Sequence, residues 1–199
     1  MKITFAKEIL LKAINALSKV SQNKTSSNVP GAIYITTKNN KVEMQANDFE
    51  IGIRITVDAT IEEEGTILVA MRYFQEWVRR TQSAEITLIC EEGTHQLSMI
   101  SESSQVNLIT MPTDNFTLVE QIHDENHIDM DSDQLKNLID LTNYAAATEE
   151  DRPIFTGALL EGGEMTLTMV STDTHRMAVK KINLPDQVTE GLRIVIPTK

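Results

Sequence analysis

Only one cysteine, Cys90, occurs in the 199 residues. Neither a disulfide framework nor a cysteine-rich zinc site can therefore form within one chain, which agrees with a reducing compartment. No apolar run approaches the roughly 20 residues of a membrane span. The start MKITFAKEILLKAI is amphipathic with lysines inside it, unlike a signal peptide. The expectation is a cytoplasmic protein with no membrane partner. Positive charge is scarce too: 18 Lys and Arg stand against 29 Asp and Glu, a net charge of -11. That balance argues against gripping nucleic acid by bulk attraction, although it permits a local basic surface. No phosphate-binding loop, dinucleotide fingerprint, zinc-finger spacing or Gly-x-Ser-x-Gly elbow is present, so the sequence offers no cofactor site.

What the chain does have is repetition, with a period of about sixty residues. Ile3, Phe5, Leu10, Ala13 and Ile14 recur as Ile67, Val69, Phe74, Trp77 and Val78, and again as Ile128, Met130, Leu135, Leu138 and Ile139. In each copy two apolar residues alternate, as in a half-buried strand, and three follow at the spacing of a helix inner face. A fourth copy starts at Ile194, Val195, Ile196 and Pro197.

Each helix is followed by strand patterns with turn signals between them. The first copy offers 31–37 and 41–47 around Lys38-Asn39-Asn40, then 52–58. The second offers 85–90 and 96–101, joined through Glu92-Gly93, then 105–110. The third has Ser132 as a helix N-cap, a helix to about Ala147, strands 157–160 and 165–171 joined through Gly162-Gly163, and a last strand 176–182. Val42, Met44, Ala46 and Asp48 match Leu167, Met169, Ser171 and Asp173. A strand-helix-three-strand unit cannot bury its apolar face alone, so units must pair with their helices on one face of antiparallel sheets, an α+β class. Residues 1–118 then form one complete domain of two units. Pro112 and the polar stretch after it point to a linker over 119–126, and 127–199 makes an incomplete second domain of one unit plus the first strand of the next.

Three sharper readings lose to plainer ones. Ser171, Asp173 and His175 alternate, but side-by-side residues on one strand face do not build a hydrolase triad. His123 and His127 with Asp124 and Glu125 have metal-like spacing but fall in the linker, so no metal site is expected. Glu62-Glu63-Glu64 reads as a solvated turn.

The segments Ser171-Thr172-Asp173-Thr174-His175-Arg176-Met177-Ala178-Val179 and Arg152-Pro153-Ile154-Phe155-Thr156-Gly157, with the Met1-Lys2-Ile3-Thr4-Phe5 start, resemble the bacterial DNA polymerase sliding clamp, the beta subunit of DNA polymerase III. The resemblance covers the whole chain. It implies DNA-clamp domains whose full-length assembly is a homodimeric ring around duplex DNA, a processivity factor without an active site of its own. Such a ring binds DNA weakly and without sequence preference, and tethers the replicative polymerase at high effective concentration. Matched to that plan, the chain carries the first domain and half of the second, and reads as a truncated clamp. The alternative is a non-encircling fragment acting as a protein-interaction module.

The resemblance also implies sites. Lys24 and Lys199 match positions near DNA, with Arg152 a weaker candidate. Arg72, Gln75 and Arg79 lie opposite Phe74, Trp77 and Val78, with Arg80 nearby, and Lys12 and Lys19 add charge on the first helix; alone, these positives read first as a solvated helix face. Phe155, Thr172, Thr174, His175, Arg176 and Met177 match a groove that receives short peptide motifs from polymerases, the clamp loader and repair proteins. Thr174 stands where the family usually has Gly. Val106 and Leu108 match the subunit-contact edge strand. With no third domain in this sequence, the expectations are weak peptide binding, no family-type dimer, and exposed apolar surface at the Val106 edge and along 127–199.

Overall fold

Alternation and helical spacing act first. In β1 (Lys2–Ala6) Ile3 and Phe5 are fully buried, and in α1 (Lys7–Ser21) Leu10, Ile14 and Leu17 join them. The computed structural model describes residues 1–21, 31–48, 51–91, 93–120, 127–149, 152–184 and 191–198. They divide into two compact units, Met1–Gln121 and Ile122–Lys199. No helix among the described residues is long and apolar enough to cross a membrane.

The first unit continues with β2 (Ala32–Lys38), β3 (Lys41–Asn47), β4 (Gly52–Val57), β5 (Thr60–Glu63), β6 (Thr66–Ala70), α2 (Met71–Arg80), β7 (Glu85–Ile89), β8 (Gln96–Ile100) and β9 (Gln105–Met111). Asn39 and Asn40 close the β2–β3 hairpin at φ of 53° and 59°, the left-handed pair a type I′ turn requires. The strands run β4-β3-β2-β6-β9-β8-β7-β1-β5, with both helices packed side by side against the sheet. The order is that of two like halves exchanging first strands: β1 lies on β7 of the second half, and β6 lies on β2 of the first. One core results, from Ile3 and Phe5 through Phe74 and Val78 to Leu97 and Met99.

The second unit repeats half of this pattern. It holds α3 (Ser132–Thr142), β10 (Gly157–Gly162), β11 (Thr166–Thr172), β12 (Met177–Asn183) and β13 (Arg193–Pro197), with the strands ordered β12-β11-β10-β13. Register is kept partner for partner: Gly157 faces Pro197 as Ala32 faces Ala70, and Leu167 faces Ile182 as Val42 faces Val57. Leu138, Ala158, Leu167, Met169 and Leu184 form a smaller core.

Several expectations need correction. Glu62 and Glu63 belong to β5 rather than a turn, because edge pairing to β1 leaves their carboxylates free to meet Lys2 Nζ at 2.7 Å and the Met1 amine at 3.5 Å. The α3 cap is Asp131, whose carboxylate accepts the Asp133 N–H at 2.9 Å; Ser132 is already inside the helix. That helix ends at Thr142 and passes into a 3-10 turn, Asn143–Ala145, before reaching Ala147. Residues 127–131 form no strand, since none of the described strands of this unit pairs with them as β7 pairs with β1, although Ile128 and Met130 still pack on the small core. At the linker's expected start, Val119 is fastened within the first unit: its N–H donates to Gln45 Oε1 at 2.8 Å and its carbonyl accepts from Arg54 at 3.3 Å. Residues 121–126, with His123, Asp124 and Glu125, and turn residue Glu92 lie outside the described residues.

Phe74→Ala is expected to destabilise the first unit by about 3–5 kcal/mol, because Phe74 is fully buried. Ile109→Ala, at a residue 81% exposed, should change stability by no more than about 0.5 kcal/mol. Denaturant unfolding of the two variants checks the contrast.

Candidate functional site

Two surfaces gather the expected residues. The first is the outer side of the helix pair. Arg72, Gln75, Glu76, Arg79 and Arg80 line an open concavity along α2, and Lys12 and Lys19 are exposed on α1. Gln75 does not face solvent opposite the core as expected. It is half-buried, and its Nε2 donates to Ser18 Oγ at 3.1 Å and Asn15 Oδ1 at 3.4 Å, tying α2 to α1. The helical stripe through 72, 75 and 79 runs beside the core stripe rather than behind it, so its middle member meets the neighbouring helix. Arg80 is paired with Glu76 at 2.7 Å, and the Arg72 guanidinium lies 5.9 Å from the Tyr73 ring centroid. Arg79 has no ion pair among the described residues. Lys24 and Lys199 lie outside the described residues.

The second surface is built on a turn that ends β11. Asp173 N–H donates to the Arg176 carbonyl at 3.3 Å, while Asp173 Oδ1 accepts the N–H groups of His175 at 3.0 Å and Arg176 at 2.9 Å. Arg176 Nε donates to Asp173 Oδ2 at 2.9 Å, and Thr172 Oγ1 donates to the Arg176 carbonyl at 2.8 Å. The Arg176 backbone N–H, with that of His175 and the Arg176 guanidinium, holds the Asp173 carboxyl below its ordinary pKa, together outweighing the opposing effect of burial. The turn repeats one in the first unit, where Asp48 N–H donates to the Ile51 carbonyl at 3.1 Å and Ile51 N–H to Asp48 Oδ1 at 2.8 Å.

At the apex Thr174 takes a φ of 77°, the left-handed backbone that glycine adopts freely and a β-branched residue rarely does. Thr174, His175 and Arg176 line an open concavity with Phe155, Ala146, Ala147 and Glu149. Arg152 lines it as well, so the structure groups this residue with the expected peptide positions and not with the helix-face cations. Thr172 serves the turn from behind, and Met177 is exposed outside the lining. Tyr144, which no spacing singled out, puts its ring centroid 5.9 Å from the Arg176 guanidinium. The triad reading fails on geometry: Ser171 is buried with its hydroxyl unpartnered, and Asp173 and His175 sit in the turn rather than on the strand.

The β9 edge is partly open. Met111 and Thr110 pair with β6, whereas the stretch from Gln105 to Ile109 pairs only with β8. Val106 and Leu108 are half-buried rather than exposed, and line a groove with Tyr73, Trp77 and Arg80.

Comparison with known proteins agrees with this architecture. The family described as DNA polymerase III beta subunit, N-terminal domain, matches residues 1–120, and the central domain of the same subunit matches 129–199. A beta sliding clamp of Staphylococcus aureus is 29% identical over 209 aligned positions, which span 100% of this chain and 54% of the relative. Among solved structures, a putative DNA polymerase III beta subunit from Eubacterium rectale superposes with a TM-score of 0.92 at 28% identity, and the DNA polymerase sliding clamp from Bacillus subtilis with 0.91 at 27%. Each comparison covers 100% of this chain and 54% of the other. The chain thus spans about half the length of the relatives it matches.

Asp173 gives a test of the turn. Because its pKa is depressed in the folded state, its contribution to stability is present above the unfolded carboxyl's pKa and is lost as pH falls through the folded value. The stability gap between the native sequence and Asp173→Ala should therefore shrink on acidification, with the native Asp173 carboxyl titrating by NMR below an unstructured aspartate. A gap independent of pH would contradict the turn's electrostatics.

Proposed function

The chain belongs to the family of DNA polymerase III beta subunits, the bacterial sliding clamps, and on that premise we propose that it supplies the first clamp domain, residues 1–118, and half of the second, residues 127–199, of a processivity factor. The observation that carries this reading is the helix pair. Gln75 locks α2 to α1, and Arg72, Arg79, Lys12 and Lys19 remain on the outside of that layer, where a DNA backbone can pass. Cations that are few and mobile suit sliding: they contact phosphates without reading bases and without holding the protein in place. In a ring, topology provides retention, and the polymerase is kept near the primer end by effective concentration rather than by chemistry in the clamp. Val106 and Leu108 offer the edge at which a ring subunit would meet its neighbour, and the setting is the cytoplasm.

A second reading, a non-encircling interaction module, is favoured by the open concavity at the Asp173 turn. Phe155 and Ala146 form an apolar floor, and Arg152, His175 and Arg176 a polar rim, a combination that anchors one hydrophobic side chain of a short peptide from a polymerase, clamp loader or repair protein.

NMR titrations separate the two. Duplex DNA should shift the amides of α1 and α2 with weak, salt-dependent affinity, and Arg72→Ala and Arg79→Ala should each lower the slope of log affinity against log salt by about 0.9. A peptide with a leucine anchor should instead shift Phe155 and residues 174–176, an effect lost in Phe155→Ala. DNA binding insensitive to salt and to both arginine substitutions would overturn the first reading.

A further inference from the structure

After β9 the chain returns across the face of β2, β3 and β4 that points away from the core, the face that alternation gives to Tyr34, Gln45 and Arg54, partners across the three strands. Side chains of the sheet hold it there. Phe116 stacks on Tyr34 with ring centroids 5.2 Å apart and planes 11° from parallel. Asn47 Nδ2 donates to the Thr117 carbonyl at 3.0 Å, Val119 N–H donates to Gln45 Oε1 at 2.8 Å, and the Val119 carbonyl accepts from Arg54 at 3.3 Å. Glu43 fixes Gln45 and Arg54 in turn, at 2.6 Å and 3.2 Å. Gly52 makes the room, since a Cβ there would lie 2.7 Å from Val119 Cγ2.

Two observations separate this seat from ordinary packing. Among the described residues, the core on the other face of the sheet includes neither Phe116 nor Val119. Nor is the seat a general feature of the repeat: in the matching β11–β12 pair Val170 faces Val179 where Gln45 faces Arg54, and Thr172 replaces Asn47. The first unit thus carries a polar seat for a backbone, made of groups whose hydrogen bonds water can replace at small net cost. A segment held in this way can open locally while the core stays closed.

We propose that residues 116–119 are a detachable strap that limits how far the two units can part. Seated, it anchors the chain at Val119, and the core of the second unit begins with Ile128, nine residue steps on, a reach of at most about 31 Å. Released, it moves the anchor back to the 3-10 turn Thr113–Asn115, which packs against β6, and the thirteen steps from Asn115 to Ile128 reach about 44 Å. The gain of about 14 Å needs no unfolding of either unit. It depends on neither DNA nor peptide binding.

Dipolar spectroscopy between two nitroxides tests this on the full chain, with labels at D58C and E164C, exposed positions in the two units, in a C90S background. The strap is released in two ways: G52V puts a side chain where Val119 sits, and Q45A/R54A removes the partners of its backbone. In the native chain the Val119 amide should be protected from hydrogen exchange, yet exchange faster than the amides of α1 and α2. Each release should speed that exchange tenfold or more and move the longest label separations outward by about 14 Å, while α1, α2 and the far-ultraviolet circular dichroism stay unchanged. Coinciding label separations in native and released chains overturn the proposal. So does a Val119 amide that exchanges only together with α1 and α2, or loss of the first unit's fold in both releases, either of which would make the segment part of the core.

Discussion

Two helices sharing one apolar layer hold the larger unit together. A single strand-helix-three-strand half has more apolar surface than its own strands can cover, and burying that surface is the dominant favourable contribution to folding. The first unit solves this by crossing over: each half gives its first strand to the other half's sheet and lays its helix beside the other's, so Ile3, Leu10 and Ile14 share a core with Phe74, Val78 and Leu88. The second unit begins the same solution, with β13 already in the place that β6 takes. Its helix keeps one apolar flank in solvent.

The same economy produces both candidate surfaces. Helices packed side by side against a sheet turn their remaining faces outward together, which gathers cations spread across the chain from Lys12 to Arg79. The strand ends are closed by an aspartate turn, used at Asp48 and again at Asp173. In the second case the turn holds Thr174 in a left-handed backbone and presents His175 and Arg176 beside Phe155. A recurrent structural device thus becomes the rim of a concavity when the neighbouring loop supplies an apolar floor.

Much of this was legible in the sequence because periodicity encodes which face a residue turns to the core. The alternation around Ile3 and the spacing of Leu10, Ala13 and Ile14 are sufficient to place β1 and α1, and the match of Val42–Asp48 to Leu167–Asp173 anticipates both the hairpins and the twin turns. Periodicity does not encode partners. Ile128 and Met130 alternate like a strand and still form none, while the charged Glu62 and Glu63 do form one, because an edge position tolerates charge that a central strand would not. Asp131 and Ser132 are both good caps, and only geometry chooses between them. Arg152 comes to the concavity, and Tyr144 to the Arg176 guanidinium, from segments outside the repeated strands and helices, where no repeat announces direction.

If halves of the repeat stabilise each other, protection must follow the sharing of cores. Hydrogen exchange on the dilute chain should find the α1 and α2 amides among the slowest, opening together with the sheet, and those of α3 exchanging markedly faster through local opening of the smaller core. Equal protection of α3 and α1 under those conditions would contradict the dependence of each half on a sister.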